Sequence, residues 1–156
     1  MTTTLTIDAT DRKILNVLQK DGRTTNVELA EAIGLSASPC LRRVRLLEEA
    51  GIIKGYQAIV DQARVGLPVS VFISVKLEKQ REDAMQRFEA AVRSFPEVLE
   101  CYLMTGSRDY LLRVVAKDLT DYERFLKSTL TRIEGVASIE SSFALAQVKH
   151  TGTLPL

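Results

Sequence analysis

Residues 26–45 read NVELAEAIGLSASPCLRRVR, and the spacing inside this stretch decides how the rest of the chain is read. Thr25 and Glu28 stand three apart ahead of an apolar-periodic run, the pattern of a helix N-cap in which each side chain serves the other residue's backbone N–H. Gly34 follows Ile33 where a helix needs a left-handed residue to end, a conformation glycine adopts without steric cost. A second helix opens near Ser36. On it Ala37, Cys40 or Leu41, Val44 and Leu47 recur on one face, with Ser38, Arg42, Arg45 and Glu49 on the other. A short polar tip followed by arginines is the chemistry of groove reading, because hydroxyls bond phosphates or base edges and guanidinium groups bond phosphates or guanine O6 and N7. A basic stripe also arises as a plain solvated face. The helix–glycine–helix spacing ahead of the arginines favours a helix–turn–helix DNA reader.

Outward from this core, a first helix is expected from about Thr10 to Lys20, capped by Asp8 or Thr10, stopped at Asp21-Gly22, and buried through Ile14, Val17 and Leu18. The third helix should end at Ala50-Gly51. IIKGYQAIV (52–60) then reads as a small β-hairpin, or wing, bending at Lys54-Gly55. Residues 1–60 thus form a winged helix–turn–helix, and DQARVGLP (61–68), broken by Gly66 and Pro68, reads as a linker.

After Pro68 the period changes from that of a helix to that of a strand. Val69, Val71, Ile73, Val75 and Leu77 alternate with other residues, as in a half-buried strand. Met85, Phe88, Val92 and Phe95 mark one face of a helix over about 82–94. VLECYLMT (98–105) and YLLRVVAK (110–117) read as strands around a GSRD turn. Thr120 and Glu123 suggest a capping box for a further helix bearing Tyr122, Phe125, Leu126 and Ile133, ended by Gly135, before a long strand from Val136 to about Val148. The order β-α-β-β-α-β makes residues 69–156 a ferredoxin-like domain, four antiparallel strands with two helices on one face, and the whole chain α+β. The uncovered sheet face and the edge strands invite dimerisation, which would supply the two-fold symmetry a reader of palindromic DNA needs.

Composition narrows the function classes. Apolar residues make up 46% and charged residues 26%, with no run long enough to cross a bilayer, and MTTTLTIDATDRK lacks a basic-then-apolar leader, so a cytoplasmic protein with no membrane partner is expected. Net charge is only +1, and residues 1–60 carry eight Lys/Arg against seven Asp/Glu; the positive charge is local to Arg42, Arg43 and Arg45, which implies directed docking. Cys40 and Cys101 fit no metal or redox spacing and read as reduced core cysteines, and His150 is the single histidine. No cofactor and no metal are expected, and nothing gathers the titratable cluster an enzyme needs. RNA binding through the sheet is set aside because YLLRVVAK lacks the aromatic RNA-stacking motif.

In the DNA-binding set, Ser38, Arg42 and Arg45 are expected to face the major groove. Ser36 and Pro39 belong to the same helix start. Thr24, Thr25 and Asn26, at the N-terminus of the second helix, should bond phosphate through free N–H groups and the helix's partial positive charge. Arg43, angularly intermediate, is assigned to the DNA backbone, and Lys54 on the wing is a weaker phosphate contact.

Several motifs carry a family resemblance. They are D-x-x-I-L-x-x-L-Q-K-D-G-R at 11–23, N-V-E-L-A at 26–30, G-L-S-x-S-P-C-L-x-R-V at 34–44, and L-E-x-x-G-I-I-x-G-Y at 47–56. E-V-L-E-C-Y-L-M-T-G at 97–106, D-Y-L-L at 109–112 and S-S-F-A-L at 141–145 continue the match. From about Ile7 to His150 the chain resembles the Lrp/AsnC (leucine-responsive/asparagine-regulatory, feast/famine) transcription regulators. The resemblance implies DNA binding, dimers assembling into tetramers, hexamers or octamers, and an amino acid or related metabolite bound between dimers. It places the loop between the second and third sheet strands in that cleft, here Gly106, Ser107, Arg108, Asp109 and Tyr110; Met104 and Thr105, at the end of the preceding strand, are effector candidates beside it.

Chemically, Gly106 would let backbone N–H groups approach a carboxylate, and Asp109 could receive an ammonium group. The same residues also suit an ordinary hairpin turn. Ser107 departs from the acid common in the family's G-D-x-D-Y loop, and Arg108 could attract a carboxylate. Ser141 and Ser142 match positions the resemblance puts near a neighbouring subunit's cleft. The end of the chain resembles a subgroup other than the leucine-responsive prototype, so leucine is not singled out. An effector-independent architectural DNA protein is the alternative.

Overall fold

The computed structural model describes residues 6–156. Residues 1–5, which the sequence reading includes in the first domain and in the absence of a leader, lie outside the described residues. By its internal contacts the chain divides into two units, one of residues up to Ile59 together with Lys149–Leu156, the other Val60–Val148.

The first unit holds three helices, α1 (Ala9–Leu18), α2 (Asn26–Ile33) and α3 (Ala37–Glu49). The N-caps of α1 and α2 are made by side-chain hydrogen bonds. Asp8 caps α1 in a reciprocal box: the Asp11 N–H donates to Asp8 Oδ1 at 2.8 Å and the Asp8 N–H to Asp11 Oδ2 at 3.1 Å. Thr25 caps α2 as its spacing with Glu28 anticipates, the Glu28 carboxylate accepting from the Thr25 N–H at 2.8 Å and from its hydroxyl at 2.7 Å. Gly34 closes α2 at φ +75°. Ile14, Leu15, Leu29, Ala30, Cys40 and Leu47 form the core, with Val17, Leu18 and Val44 only partly buried around it. Leu41, offered with Cys40 as a core position, is exposed.

Two expectations are corrected here. No strand forms over 52–60. Ile52 and Ile53 fold back so that both N–H groups bond the Leu47 carbonyl, at 3.0 and 3.1 Å, and the rest forms no regular element, with Ile59 90% exposed. Alternating apolar residues make a strand only when a partner supplies the ladder, and none is present among the described residues. The expected linker 61–68 is a folded turn: the Leu67 N–H bonds the Gln62 carbonyl at 3.0 Å, and the Gln62 amide reaches Ser70 and Arg113.

The second unit has the expected element order: β1 (Val69–Leu77), α4 (Glu82–Arg93), β2 (Val98–Leu103), β3 (Tyr110–Ala116), α5 (Leu119–Ser128), a 3-10 turn (Leu130–Arg132) and β4 (Val136–Phe143). The strands pair antiparallel in the order β2-β3-β1-β4. Val71, Ile73 and Val75 of β1 with Leu112 and Val114 of β3 face Phe88, Val92, Tyr122 and Phe125, so period-2 and period-3.6 apolar faces meet in one core. Burying each such large apolar side chain stabilises by roughly 1.5–3 kcal/mol.

The opposite sheet face differs from the apolar surface expected of an uncovered sheet. Ser70, Phe72, Ser74 and Lys76 of β1 stand across from Val115, Arg113 and Leu111 of β3 and from Ser142, Glu140 and Ser138 of β4, a mixed surface. Asp118, not Thr120, caps α5, accepting from the Asp121 N–H at 2.7 Å, because it sits one residue before the first helical position and Thr120 falls inside the helix. The last strand stops at Phe143, beyond which β1 offers only the Ser70 carbonyl, bonded by the Ala144 N–H at 3.0 Å. Residues 149–156, read as part of the sheet domain, group with the first unit instead.

Candidate functional site

The α3 surface sorts the DNA set by what each side chain already holds. Arg42 and Arg45 are exposed and take part in no ion pair or side-chain hydrogen bond among the described residues; Ser38 and Pro39 stand exposed on the first turn. Ser36 occupies the N-cap position without a side-chain cap bond. Arg43 is different. Its Nη1 donates to Asp8 Oδ2 and to Asp11 Oδ1, both at 2.8 Å, tying α3 to the capping box of α1. Arg43, the candidate for the DNA backbone, thus has its guanidinium held by two carboxylates. The pair also holds the Asp8 carboxyl below its ordinary range, chiefly through the Asp11 N–H and then Arg43, and raises Arg43 further.

At the start of α2 the three phosphate candidates are engaged as well. Thr24 donates its hydroxyl to the Asp21 carbonyl at 2.9 Å, and Thr25 is in its box. Asn26 Nδ2 donates to the Ala37 carbonyl at 2.8 Å, joining the starts of α2 and α3, while its Oδ1 is buried without a partner among the described residues. Lys54 is exposed on the irregular segment that replaces the expected wing. Sequence reading missed Tyr56, whose hydroxyl donates to Glu48 at 3.0 Å and whose ring lies where a Cβ on Gly22 would come within 3.1 Å. A lone aromatic directly after Lys54-Gly55 gives no period to find. Asp8 and Asp11 carried a findable signal, an Asp-x-x-Asp before an apolar run.

The β2–β3 connection is closed by the Met104 N–H on the Asp109 carbonyl, 2.8 Å, and the Asp109 N–H on the Val75 carbonyl, 2.9 Å. Thr105, Gly106 and Ser107 lie exposed between, and Met104 is 43% exposed. Gly106 takes φ +113°, yet a Cβ there would meet nothing within 4 Å, so a larger residue would strain the backbone rather than fill an approach path. Asp109 is 5% exposed, and its oxygens accept from the Leu77 N–H at 2.7 Å and Gln80 Nε2 at 2.6 Å. Asp109, the candidate acceptor for an ammonium group, is thus buried beside β1, where it pins the loop base.

Arg108 spans to β4, donating to Ser138 Oγ and Glu140 Oε2, both at 2.7 Å. Tyr110 points under α4, its hydroxyl on Glu89 at 2.9 Å and its ring 4.6 Å from that of Phe88; burial and the Glu89 carboxylate push its phenol well above the ordinary range. Ser141 faces the helices, hydrogen-bonded to the Tyr122 hydroxyl, whereas Ser142 lies on the opposite face across from Phe72. Adjacent strand residues point to opposite faces, so the two serines do not converge within one chain. An open hollow of about 420 Å³ lies between α4 and β2, lined by Glu89, Arg93, Leu99, Cys101, Leu103 and Tyr110 among others; of the nine effector candidates it includes Tyr110 alone. Cys40 is buried as expected, but Cys101, read as core, is exposed because β2 is an edge strand. Among the described residues no three His, Cys, Asp or Glu gather as a metal site, and no helix is long and apolar enough to cross a membrane.

Known proteins account for this pairing of units. A family model for a winged helix–turn–helix DNA-binding domain matches residues 7–54, and one for the Lrp/AsnC ligand binding domain matches 70–154. The Bkd operon transcriptional regulator of Pseudomonas aeruginosa is 50% identical, with 96% of this chain and 98% of that protein covered. The leucine-responsive regulatory protein of Escherichia coli is 40% identical over 95% and 90%. A transcriptional regulator of Neisseria meningitidis, solved as an L-Met complex, superposes at TM-score 0.91 with 47% identity over 96% of this chain and 97% of that one. A three-helix DNA-reading unit followed by an antiparallel sheet domain, matched along nearly its whole length, makes this chain a member of the Lrp/AsnC family of DNA-binding transcriptional regulators.

Proposed function

We propose that the chain acts as a homodimer, or a tetramer or octamer of such dimers, which reads palindromic promoter DNA through α3 and changes its DNA binding when a free amino acid occupies the β2–β3 loop. The reading places the protein in the cytoplasm, on the nucleoid. Arg42, Arg45 and Ser38 contact base edges or phosphates, the N-terminus of α2 faces phosphate, and Arg43 orients α3. A second copy is supported by apolar side chains on segments that join no strand among the described residues: Ile59 is 90% exposed, Leu145 fully exposed and Val148 97% exposed. Mixed polarity on the open sheet face fits an interface with hydrogen bonds as well as apolar contact.

The observation that carries the effector reading is the loop itself. Its charged residues are bonded within the chain, and the backbone of Thr105–Ser107 makes no hydrogen bond among the described residues, at a glycine turn suited to a carboxylate. Met104 and Leu103, exposed beside it, favour an apolar side chain. A ligand there acts on DNA binding only by preferring one assembly state, a coupling of about 1–3 kcal/mol. A thermal-shift screen of the free amino acids tests this. An apolar amino acid such as L-methionine should raise the midpoint, by an amount set by RT ln(1 + [L]/Kd), and alter retention of promoter DNA. No shift with any amino acid, together with intact DNA binding, would favour an effector-independent architectural protein.

A further inference from the structure

The last residues of the chain have a partner that the DNA-reading and ligand-binding roles leave unexplained. Gln19 Oε1 accepts from the Leu154 N–H at 2.6 Å, and Gln19 Nε2 donates back to the Leu154 carbonyl at 3.3 Å. One carboxamide thus satisfies both main-chain groups of one residue, as a neighbouring β-strand would. One helical turn earlier, Asn16 Nδ2 donates to the Leu156 carbonyl at 3.3 Å. Asn16 and Gln19 are three apart and so share a face of α1. Asparagine is a poor helix former unless its side chain has another use, and in the last turn of α1 that use is the tail.

The tail is shaped for the contact. The Thr153 N–H bonds Thr151 Oγ1 at 3.1 Å, and Pro155 restricts Leu154 to extended backbone, so less freedom is lost on docking. Leu154 and Leu156 remain 64% and 41% exposed, so the contact rests on hydrogen bonds more than on apolar burial.

We propose that the Asn16–Gln19 face of α1 is a docking surface for the extended main chain of residues 151–156, and that this clasp is a second attachment of the DNA-reading unit to the ligand-binding domain. The chain enters the sheet unit after Ile59 and returns to the helical unit at Lys149, six residues beyond the end of β4. The clasped helix is also the one whose Asp8 and Asp11 hold Arg43 of α3. A continuous series of bonded groups therefore runs from the tail through α1 to the helix that carries Arg42 and Arg45.

Hydrogen exchange on the full-length protein tests the clasp, with Gln19→Ala, Asn16→Ala/Gln19→Ala, and Lys13→Ala as an exposed α1 control. Losing the Gln19 bond should speed exchange at Leu154 about fivefold, the size expected for one solvent-exposed hydrogen bond. Gln19→Glu, which keeps the acceptor, should retain most of that protection near neutral pH. In the double variant NMR relaxation should show faster reorientation of α1–α3 at unchanged assembly size. Exchange at Leu154 that is unprotected in the unmodified protein, or insensitive to Gln19→Ala, overturns the docking surface. Unchanged reorientation of α1–α3 in the double variant overturns the second attachment.

Discussion

On α3 the guanidinium groups of Arg42 and Arg45 stand in solvent without a partner among the described residues, whereas at the β2–β3 loop Asp109 and Arg108 each hold two bonds within the chain. Both regions were read from the sequence as binding sites by the same logic, charged residues at a turn or on a helix face. The structure separates them. The proposed DNA surface offers side chains, and the neighbouring charges (Asp8, Asp11, Arg43) brace the helix that presents them. The proposed effector loop offers backbone, and its charged side chains are the brace. Charged residues near a site thus divide into those that contact a ligand and those that hold the contacting groups in place, and hydrogen-bond partners tell the two apart.

The largest expected effect breaks the loop's brace. Asp109→Ala leaves the buried Leu77 N–H unpaired and Gln80 without its acceptor, and should destabilise the sheet unit by about 2–3 kcal/mol in urea unfolding, abolishing any amino-acid response while DNA binding by the folded protein persists. Asp109→Asn, which keeps an acceptor for Leu77, should lose less. If Asp109→Ala is as stable as the unmodified protein but binds amino acids poorly, the carboxylate contacts ligand and the division drawn above fails at this loop.

Next in size is Gly34→Ala. A Cβ there meets nothing within 4 Å, so its effect isolates the left-handed backbone at φ +75°, about 1–2 kcal/mol against the helical unit. Thermal unfolding followed on the helical signal should move down by that amount. An unchanged midpoint would mean the α2–α3 turn relaxes freely, and the reading helix would then be less fixed than its caps imply.

The smallest effect is electrostatic. Because Asp8 and Glu28 are held below their ordinary values by hydrogen bonds and, for Asp8, by Arg43, their contributions are fully present above the unfolded-state carboxylate values, about pH 4. They are lost as pH falls through the lower folded values. The helical unit should therefore weaken on acidification from neutrality toward about pH 3, and Arg43→Ala should flatten the part due to Asp8. Parallel pH profiles for the two proteins would place the Arg43 contact outside the folded state in solution.

What was legible in the sequence follows from which physics is local. The Thr25–Glu28 box, Gly34 and the alternation along β1 are set by neighbouring residues, and each formed as read. The element order of the sheet domain followed from the switch between periods. Misreadings cluster where an element needs a distant partner. Residues 52–60 and 144–148 have strand-like patterns but no ladder to join, and the tail sits on α1, more than 130 residues away in sequence. The roles of Asp109, Arg43 and Ser141 depended on Leu77, Asp8 with Asp11, and Tyr122, pairings that no spacing along the chain encodes.

The division of labour on α3 is the claim on which the DNA-reading account rests, and one comparison tests it directly. Arg42→Ala, Arg43→Ala and Arg45→Ala would each be titrated against a randomised duplex library at fixed salt, with unfolding midpoints measured in parallel. The account predicts that Arg42→Ala and Arg45→Ala each lose affinity, about 1–3 kcal/mol with relaxed preference at one base position where the arginine reads a base, and keep their midpoints. Arg43→Ala should keep the base preference of the unmodified protein and unfold at a lower temperature. A lost base preference in Arg43→Ala at an unchanged midpoint, with Arg42→Ala and Arg45→Ala indistinguishable from the unmodified protein, would contradict it.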